Sequence, residues 1–263
     1  MKRKKISLFF KEIYYSRNVL WQLVAQQLIL RYRRTALGYL WTLINPLLMM
    51  SIMALVFSAL FKADLKIFAV FLFTGMIPWN FFNSVVTQAG TAFVNNEGLI
   101  KKIYLPKIIF PLSIASAVLI DTVFSFFALF IIIIILGSPL SWAVLFIPLA
   151  FLLLFLFTLG IGLITSIATV YFRDLQYVIL IVMQALFFLT PILYKPDSLK
   201  GKVAFLMTLN PVVPFIELFR APLYLGSLPS KSTIMLSVLF SLLSITIGLI
   251  IFLWQEKKIV FRL

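Results

Sequence analysis

Three arginines, Arg31, Arg33 and Arg34, stand just before the first long apolar run of the chain. Guanidinium groups bind phosphate oxygens in bidentate pairs, so this cluster marks a candidate entrance for a phosphorylated substrate. The same charges would also meet anionic lipid headgroups, and the sequence leaves both readings open. A second chemically notable residue is Asp121, the one carboxylate deep inside an apolar stretch. A charge at that depth reads by default as functional, or else as a structural group hydrogen-bonded beside Thr122 and Ser125. Paired catalytic carboxylates are hard to assemble around it, which argues against a membrane-embedded transferase.

What is absent is equally informative. The chain has no cysteine and no histidine, which excludes disulfides, thiolate nucleophiles and imidazole chemistry. No cofactor or metal is therefore expected on this chain. Its only Gly-Lys pair, Gly201-Lys202, is followed by Val203, so the phosphate-cradling pattern G-x-x-x-x-G-K-[ST] is missing. Such a chain cannot hydrolyse ATP alone. It uses an ion gradient, opens passively, or borrows an ATPase.

The elements that position these residues are set by lipid. Hydrophobic residues make up 63% and charged ones 12% of the 263 residues, too apolar for a water-facing surface. No charged side chain occurs from Thr122 to Phe172, a length of about 75 Å as helix against a bilayer core of roughly 30 Å. That run must cross, turn at Gly137-Ser138-Pro139 and cross again. Charge-free windows predict six spans: 35–61, 67–96, 108–136 interrupted only by Asp121, 139–172, 175–194 and 232–255. Residues 203–223 carry Asn210-Pro211, Pro214, Glu217, Arg220 and Pro222, and read as an external re-entrant helical hairpin before the last span. Pro148 reads as an ordinary kink. Pro46 and Pro191 neighbour Asn45, Trp41, Thr190 and Tyr194 and suit a cavity-lining bend.

Of the 23 Lys and Arg residues, 16 fall on the side that holds both termini and seven on the other. The positive-inside rule makes the termini cytoplasmic. The basic excess follows membrane topology rather than one soluble face, so no nucleic-acid partner is expected. The fold class is an all-α integral membrane protein with three parts. Residues 1–34 form a cytoplasmic arm with an amphipathic interfacial helix over 17–34, residues 35–255 the six-span domain, and residues 256–263 a cytoplasmic tail. The charges after Lys2 leave no cleavable apolar leader.

Within the cytoplasmic loop 95–107, Asn96, Glu97, Gly98, Leu99, Ile100, Lys101 and Lys102 predict a short amphipathic helix, stopped by Pro106. The apolar pair Leu99-Ile100 suggests a docking surface. Arg173-Asp174 reads as a structural clamp, paired with each other or with neighbours, and Glu217 with Arg220 as a mutual pair on one helical face. Trp41, Asn45 and Tyr194 are the candidate channel residues.

Several motifs, in order, resemble the ABC-2 type permeases that export polysaccharides. They are Arg31-Tyr32-Arg33-Arg34-Thr35-Ala36-Leu37-Gly38-Tyr39-Leu40-Trp41, then Asn45-Pro46-Leu47-Leu48, Leu99-Ile100-Lys101-Lys102 with Pro106 and Pro111, Tyr171-Phe172-Arg173-Asp174-Leu175, Thr190-Pro191-Ile192-Leu193-Tyr194, and Asn210-Pro211 with Pro214. The resemblance spans nearly the whole chain. It implies a homodimer in a bacterial plasma (inner) membrane, joined to two nucleotide-binding ATPase subunits that hold ATP and Mg. Residues 96–102 would be the ATPase-coupling helix and the N-terminal helix a second contact. The first and fifth spans would form much of the channel across the dimer. The cargo implied is a lipid-linked glycan of the O-antigen, capsule or teichoic acid kind. The competing readings are an ABC-2 permease for a drug or small lipid, and a gradient-driven transporter or channel.

Overall fold

The structure is a computed structural model that describes residues 11–32, 35, 37–137, 141–195 and 201–263. Among these the regular structure is entirely helical. Helix α1 (Arg17–Tyr32) buries Leu23 and Val24 and packs along α6 (Ile109–Ile135), leaving Asn18, Gln22 and Gln26 exposed. A single 3-10 turn, Gly38–Leu40, feeds α2 (Trp41–Phe61), which contains Pro46. Lys62, in the left-handed conformation, ends α2, and Asp64 accepts a bond from the Ile67 amide to start α3 (Leu65–Gly90). Two short helices, α4 (Ala92–Asn95) and α5 (Glu97–Lys102), occupy the loop before α6.

Beyond Gly137 the next described elements are a 3-10 turn at Trp142–Phe146 and α7 (Ile147–Tyr171), the predicted turn residues Ser138 and Pro139 lying outside the described residues. Pro148 does not interrupt the α-helical part of the span. It lies in the first turn of α7, where its missing amide has no intrahelical acceptor to lose. Helix α8 (Leu175–Leu189) is followed by α9 (Lys202–Leu209), α10 (Val213–Leu223) and α11 (Lys231–Arg262). The tail expected from 256 onward is the continuation of α11 to Arg262.

Among the described residues five helices are long and apolar enough to cross a bilayer: Gly38–Phe61 taken with its leading turn, α3, α6, Trp142–Tyr171 and the Lys231–Glu256 part of α11. The sixth expected span is shorter than the charge-free window 175–194 suggested. Thr190-Pro191 stops α8 after 15 residues, about 22 Å of helix.

Helix α3 is the hub. It packs on α2, α6, α7, α8 and α10, and is buried along most of its length. The tightest pairing is α7 with α11. A Cβ on Gly160 would sit 2.3 Å from the Ser244 backbone, and one on Gly248 would sit 2.5 Å from the Gly160 carbonyl oxygen. Across the same seam Ser241 Oγ donates to the Leu153 carbonyl at 2.7 Å and Ser244 Oγ to the Phe157 carbonyl at 2.6 Å. In lipid, where no hydrophobic force drives helices together, small residues and interhelical hydroxyl bonds supply the contact.

Replacing Gly160 with Leu is expected to force this seam open and destabilise the protein by about 3 kcal/mol, whereas Ile250→Val, on the exposed side of α11, leaves it unchanged. Thermal unfolding in detergent, followed by size-exclusion profile, checks the difference.

Candidate functional site

Three regions hold the candidate residues. The first is a polar cavity of about 340 Å³ between α2, α3 and α6. Thr42 and Asn45 from the start of α2, Asn80 and Ser84 from α3, and Asp121, Thr122 and Ser125 from α6 reach it, with Met49, Met50, Met53 and Met76 as an apolar wall. Asp121 is buried and accepts a bond from the Tyr39 hydroxyl at 2.7 Å, which fastens the turn before α2 to the middle of α6. Ser125 Oγ lies 3.5 Å from the Thr42 carbonyl, and Thr122 Oγ1 donates back to Val118 at 2.7 Å. Sequence reasoning found Asp121 and Asn45 but not Asn80 or Ser84. Polar residues on the hub helix were the available signal, hidden inside a window judged only by its lack of charge.

The second region joins the hairpin to the end of α8. The side chain of Asn210 donates to Thr190 Oγ1 at 2.9 Å and accepts from the Val212 amide at 2.9 Å, so one buried residue sits at the bend between α9 and α10 and pins it to the end of α8. Arg220 is buried at 3% exposure in a helix that packs on α3, α7 and α11. Its guanidinium donates to the Pro191 carbonyl at 2.9 Å and to Glu217 at 3.1 Å, and lies 3.9 Å from the centre of the Phe71 ring. Gly75 makes the room, because a Cβ there would come within 2.9 Å of Nη2. The guanidinium thus does more than pair with its neighbour on the helix: it holds the carbonyl at the break after α8. Tyr194 donates its hydroxyl to the Phe188 carbonyl at 2.7 Å, satisfying a helix-terminal acceptor.

Trp41, Asn45 and Tyr194 are not gathered at one site. Asn45 lines the cavity and Trp41 stands one turn before it, while Tyr194 caps α8 beside the hairpin. Within the chain α2 and α8 share no substantial contact, and both leave apolar faces exposed, with Leu48, Ile52 and Leu55 on one and Tyr177, Leu180 and Ile181 on the other.

The third region is the loop before α6. Lys101 pairs with Glu97 at 2.5 Å across one helical turn, and this ammonium holds the Glu97 carboxyl below the ordinary carboxylate range, with a smaller contribution from Arg173. The expected Arg173–Asp174 clamp does not form as a contact pair. The two residues are exposed at the α7–α8 junction. The apolar pair Leu99-Ile100 is also not a free docking face. Ile100 is buried and Leu99 packs against the core, because α5 folds back on α4 and the base of the bundle. The apolar groups presented outward are Ile103 and Tyr104, at 52% and 87% exposure, next to exposed Lys101 and Lys102. Arg33 and Arg34 lie outside the described residues, and Arg31 contributes only its place at the end of α1.

Residues 18–224 match the family model described as ABC-2 type transporter. The chain is 30% identical over 227 residues to the O-antigen export system permease protein RfbA of Myxococcus xanthus, covering 86% of this chain and 87% of that one. It is 32% identical to the RfbA protein of Klebsiella pneumoniae over 74% of this chain and 76% of that one. The polysialic acid transport protein KpsM of Escherichia coli is 26% identical, over 86% and 89% of the two chains.

Arg220→Ala is expected to cost about 3 kcal/mol, since it strips a buried acceptor and a ring of their partner. Glu217→Gln is expected to cost under about 1 kcal/mol, because its side chain is 30% exposed. Paired unfolding measurements on the two variants test this asymmetry; equal losses would mean the ion pair, not the Pro191 carbonyl, is what Arg220 serves.

Proposed function

Since the chain belongs to the ABC-2 type transporter family, we propose that it is the membrane permease subunit of an ABC exporter that moves a polysaccharide across the membrane. The observation that carries this reading is similarity over most of the chain to permeases named for O-antigen export and polysialic acid transport. It is a multi-pass integral membrane protein, in keeping with the five long apolar helices among its described residues. The missing phosphate-cradling loop supports a division of labour in which two separate ATPase subunits bind ATP and Mg and this chain supplies the path.

In this reading the protein sits in a bacterial plasma membrane with both termini cytoplasmic and crosses six times. Helix α8 and the non-helical stretch after Thr190 share the fifth crossing, and α9 with α10 form the re-entrant hairpin on the external side. The placement draws support from the neighbours of α10. Phe215 stacks on Phe157 in the middle of α7, while Tyr224 reaches Phe71 near the start of α3, so the helix climbs along the bundle towards the Lys66 end. A homodimer would bring the exposed apolar faces of α2 and α8 together across a shared channel, with Arg31, Arg33 and Arg34 collecting the phosphate of a lipid-linked glycan at the cytoplasmic entrance. Coupling to the ATPase would use Glu97, Gly98, Lys101 and Lys102 with Ile103 and Tyr104, while Ile100 holds the loop to the bundle.

Depleting the protein in its own cell is expected to leave lipid-linked glycan on the cytoplasmic face; accumulation of a small drug or no glycan at all would point to a different cargo. For the coupling surface, Lys102→Glu with Tyr104→Glu is expected to reduce recovery of the ATPase with the permease by about tenfold, a loss of about 1.4 kcal/mol, without altering the permease's own unfolding. Undiminished recovery would move the docking site elsewhere.

A further inference from the structure

Helices α6 and α7 pack together, and on the side of Trp142 an open groove of about 640 Å³ lies between them, within the size range of ligand sites. It runs from Leu119 to Phe130 on α6 and from Val144 to Phe155 on the 3-10 turn and α7. Every residue lining it is apolar and five are phenylalanines, while the sequence from Thr122 to Phe172 carries no charged side chain. Its floor is preformed. Phe126 meets Phe151 edge-on with ring centres 5.5 Å apart, and Phe151 meets the buried Phe219 of α10 edge-on at 4.8 Å, so these rings are held open from behind.

The dimensions select the occupant. Along α6 the groove extends about 16 Å, starting near the middle of the helix, and one leaflet of a roughly 30 Å core is about 15 Å deep. At this depth the medium is hydrocarbon, and an apolar space of this kind excludes water. A chain lying in the groove meets two helices at once, gaining dispersion contacts that a flat lipid-facing surface does not offer. The mouth supplies the polar end. Val144 also borders a shallow depression lined by Ser141, Trp142 and Leu145. The Ser141 oxygen already accepts from the Ala143 amide, which leaves its proton to donate, and the indole of the exposed Trp142 is a donor only. Two neutral donors at the membrane interface match the ester carbonyls of a lipid, and no cation stands there to select a phosphate.

We propose that the groove is a binding site for one acyl chain of a diacyl phospholipid drawn from the leaflet at the Trp142 end. A tail that stops at the midplane fits a groove that starts there, and the leaflet's resident phospholipid is present in the greatest excess. The site depends on α6 and α7 spanning the membrane, and is independent of what is exported.

The test uses the permease with its ATPase in phosphatidylcholine vesicles doped with a phosphatidylcholine that carries a photoreactive diazirine midway along one chain, with adducts mapped by mass spectrometry. Adducts are expected to favour Phe127 and Leu152 in the groove over Ile131 and Leu239, which are similarly exposed outside it, by about fivefold. Filling the groove with Val123→Trp and Leu152→Trp is expected to remove the excess at Phe127, and Ile131→Trp to leave it. High salt should not change the pattern, because no charge is read. Adducts spread evenly over all four positions would mean ordinary boundary lipid. Displacement by the lipid-linked glycan, but not by the same excess of unlabelled phospholipid, would give the groove to the cargo's tail. Protein–protein cross-links through the groove with no lipid adducts would give it to a second copy. Each of these overturns the site, as does loss of the pattern in salt. The mapping and the competition use the unmodified protein, so they decide the matter even where a filled variant does not fold.

Discussion

A bilayer core offers no water, so every polar group carried into it must be met from within the protein, and this constraint organises the whole molecule. Most hydroxyls in the spans comply locally, as Thr74, Ser113 and Thr158 do by donating to the carbonyl one turn back. Others turn the obligation into tertiary structure. Ser241 and Ser244 bond across to α7, Tyr39 ties the start of α2 to Asp121, and Arg220 meets the carbonyl at the break after α8. Each of these contacts joins elements far apart in sequence, so polarity sets the register of helices that apolar packing alone would leave free to slide.

The same requirement links architecture to transport. The break after α8 and the bend between α9 and α10 expose backbone groups that lipid cannot satisfy, and here Asn210, Tyr194 and Arg220 supply the partners from short range. The result is irregular backbone held rigidly beside the hub helix α3, which also forms one wall of the polar cavity. A path for a hydroxyl-rich polymer needs such features: polar surface inside the bilayer, supported by a bundle whose lipid-facing side stays apolar.

The class of protein and most of its spans were legible from charge-free windows, because the penalty on buried charge is large and local. The family was legible from ordered motifs, and Asn210-Pro211 rightly signalled a break. Other features depend on three-dimensional proximity and leave no local trace. Gly75 looks like any glycine in a span until Arg220, 145 positions later, is seen to need its missing Cβ. Ile100 reads as a docking residue because amphipathicity reveals that a face is apolar but not what covers it; the bundle covers it. Arg173-Asp174 reads as a clamp by adjacency, yet both side chains are exposed at the α7–α8 junction. The short α8 was overestimated because a charge-free window measures apolarity, whereas Pro191 decides where the helix ends.

Export by this permease depends on where the energy comes from. In vesicles holding the permease and its ATPase, with ATP on the ATPase side and no ion gradient, lipid-linked glycan should reach the opposite leaflet at a rate that tracks ATP hydrolysis and vanishes when the ATPase is left out. Delivery sustained by an ion gradient with no ATPase or nucleotide present would contradict it.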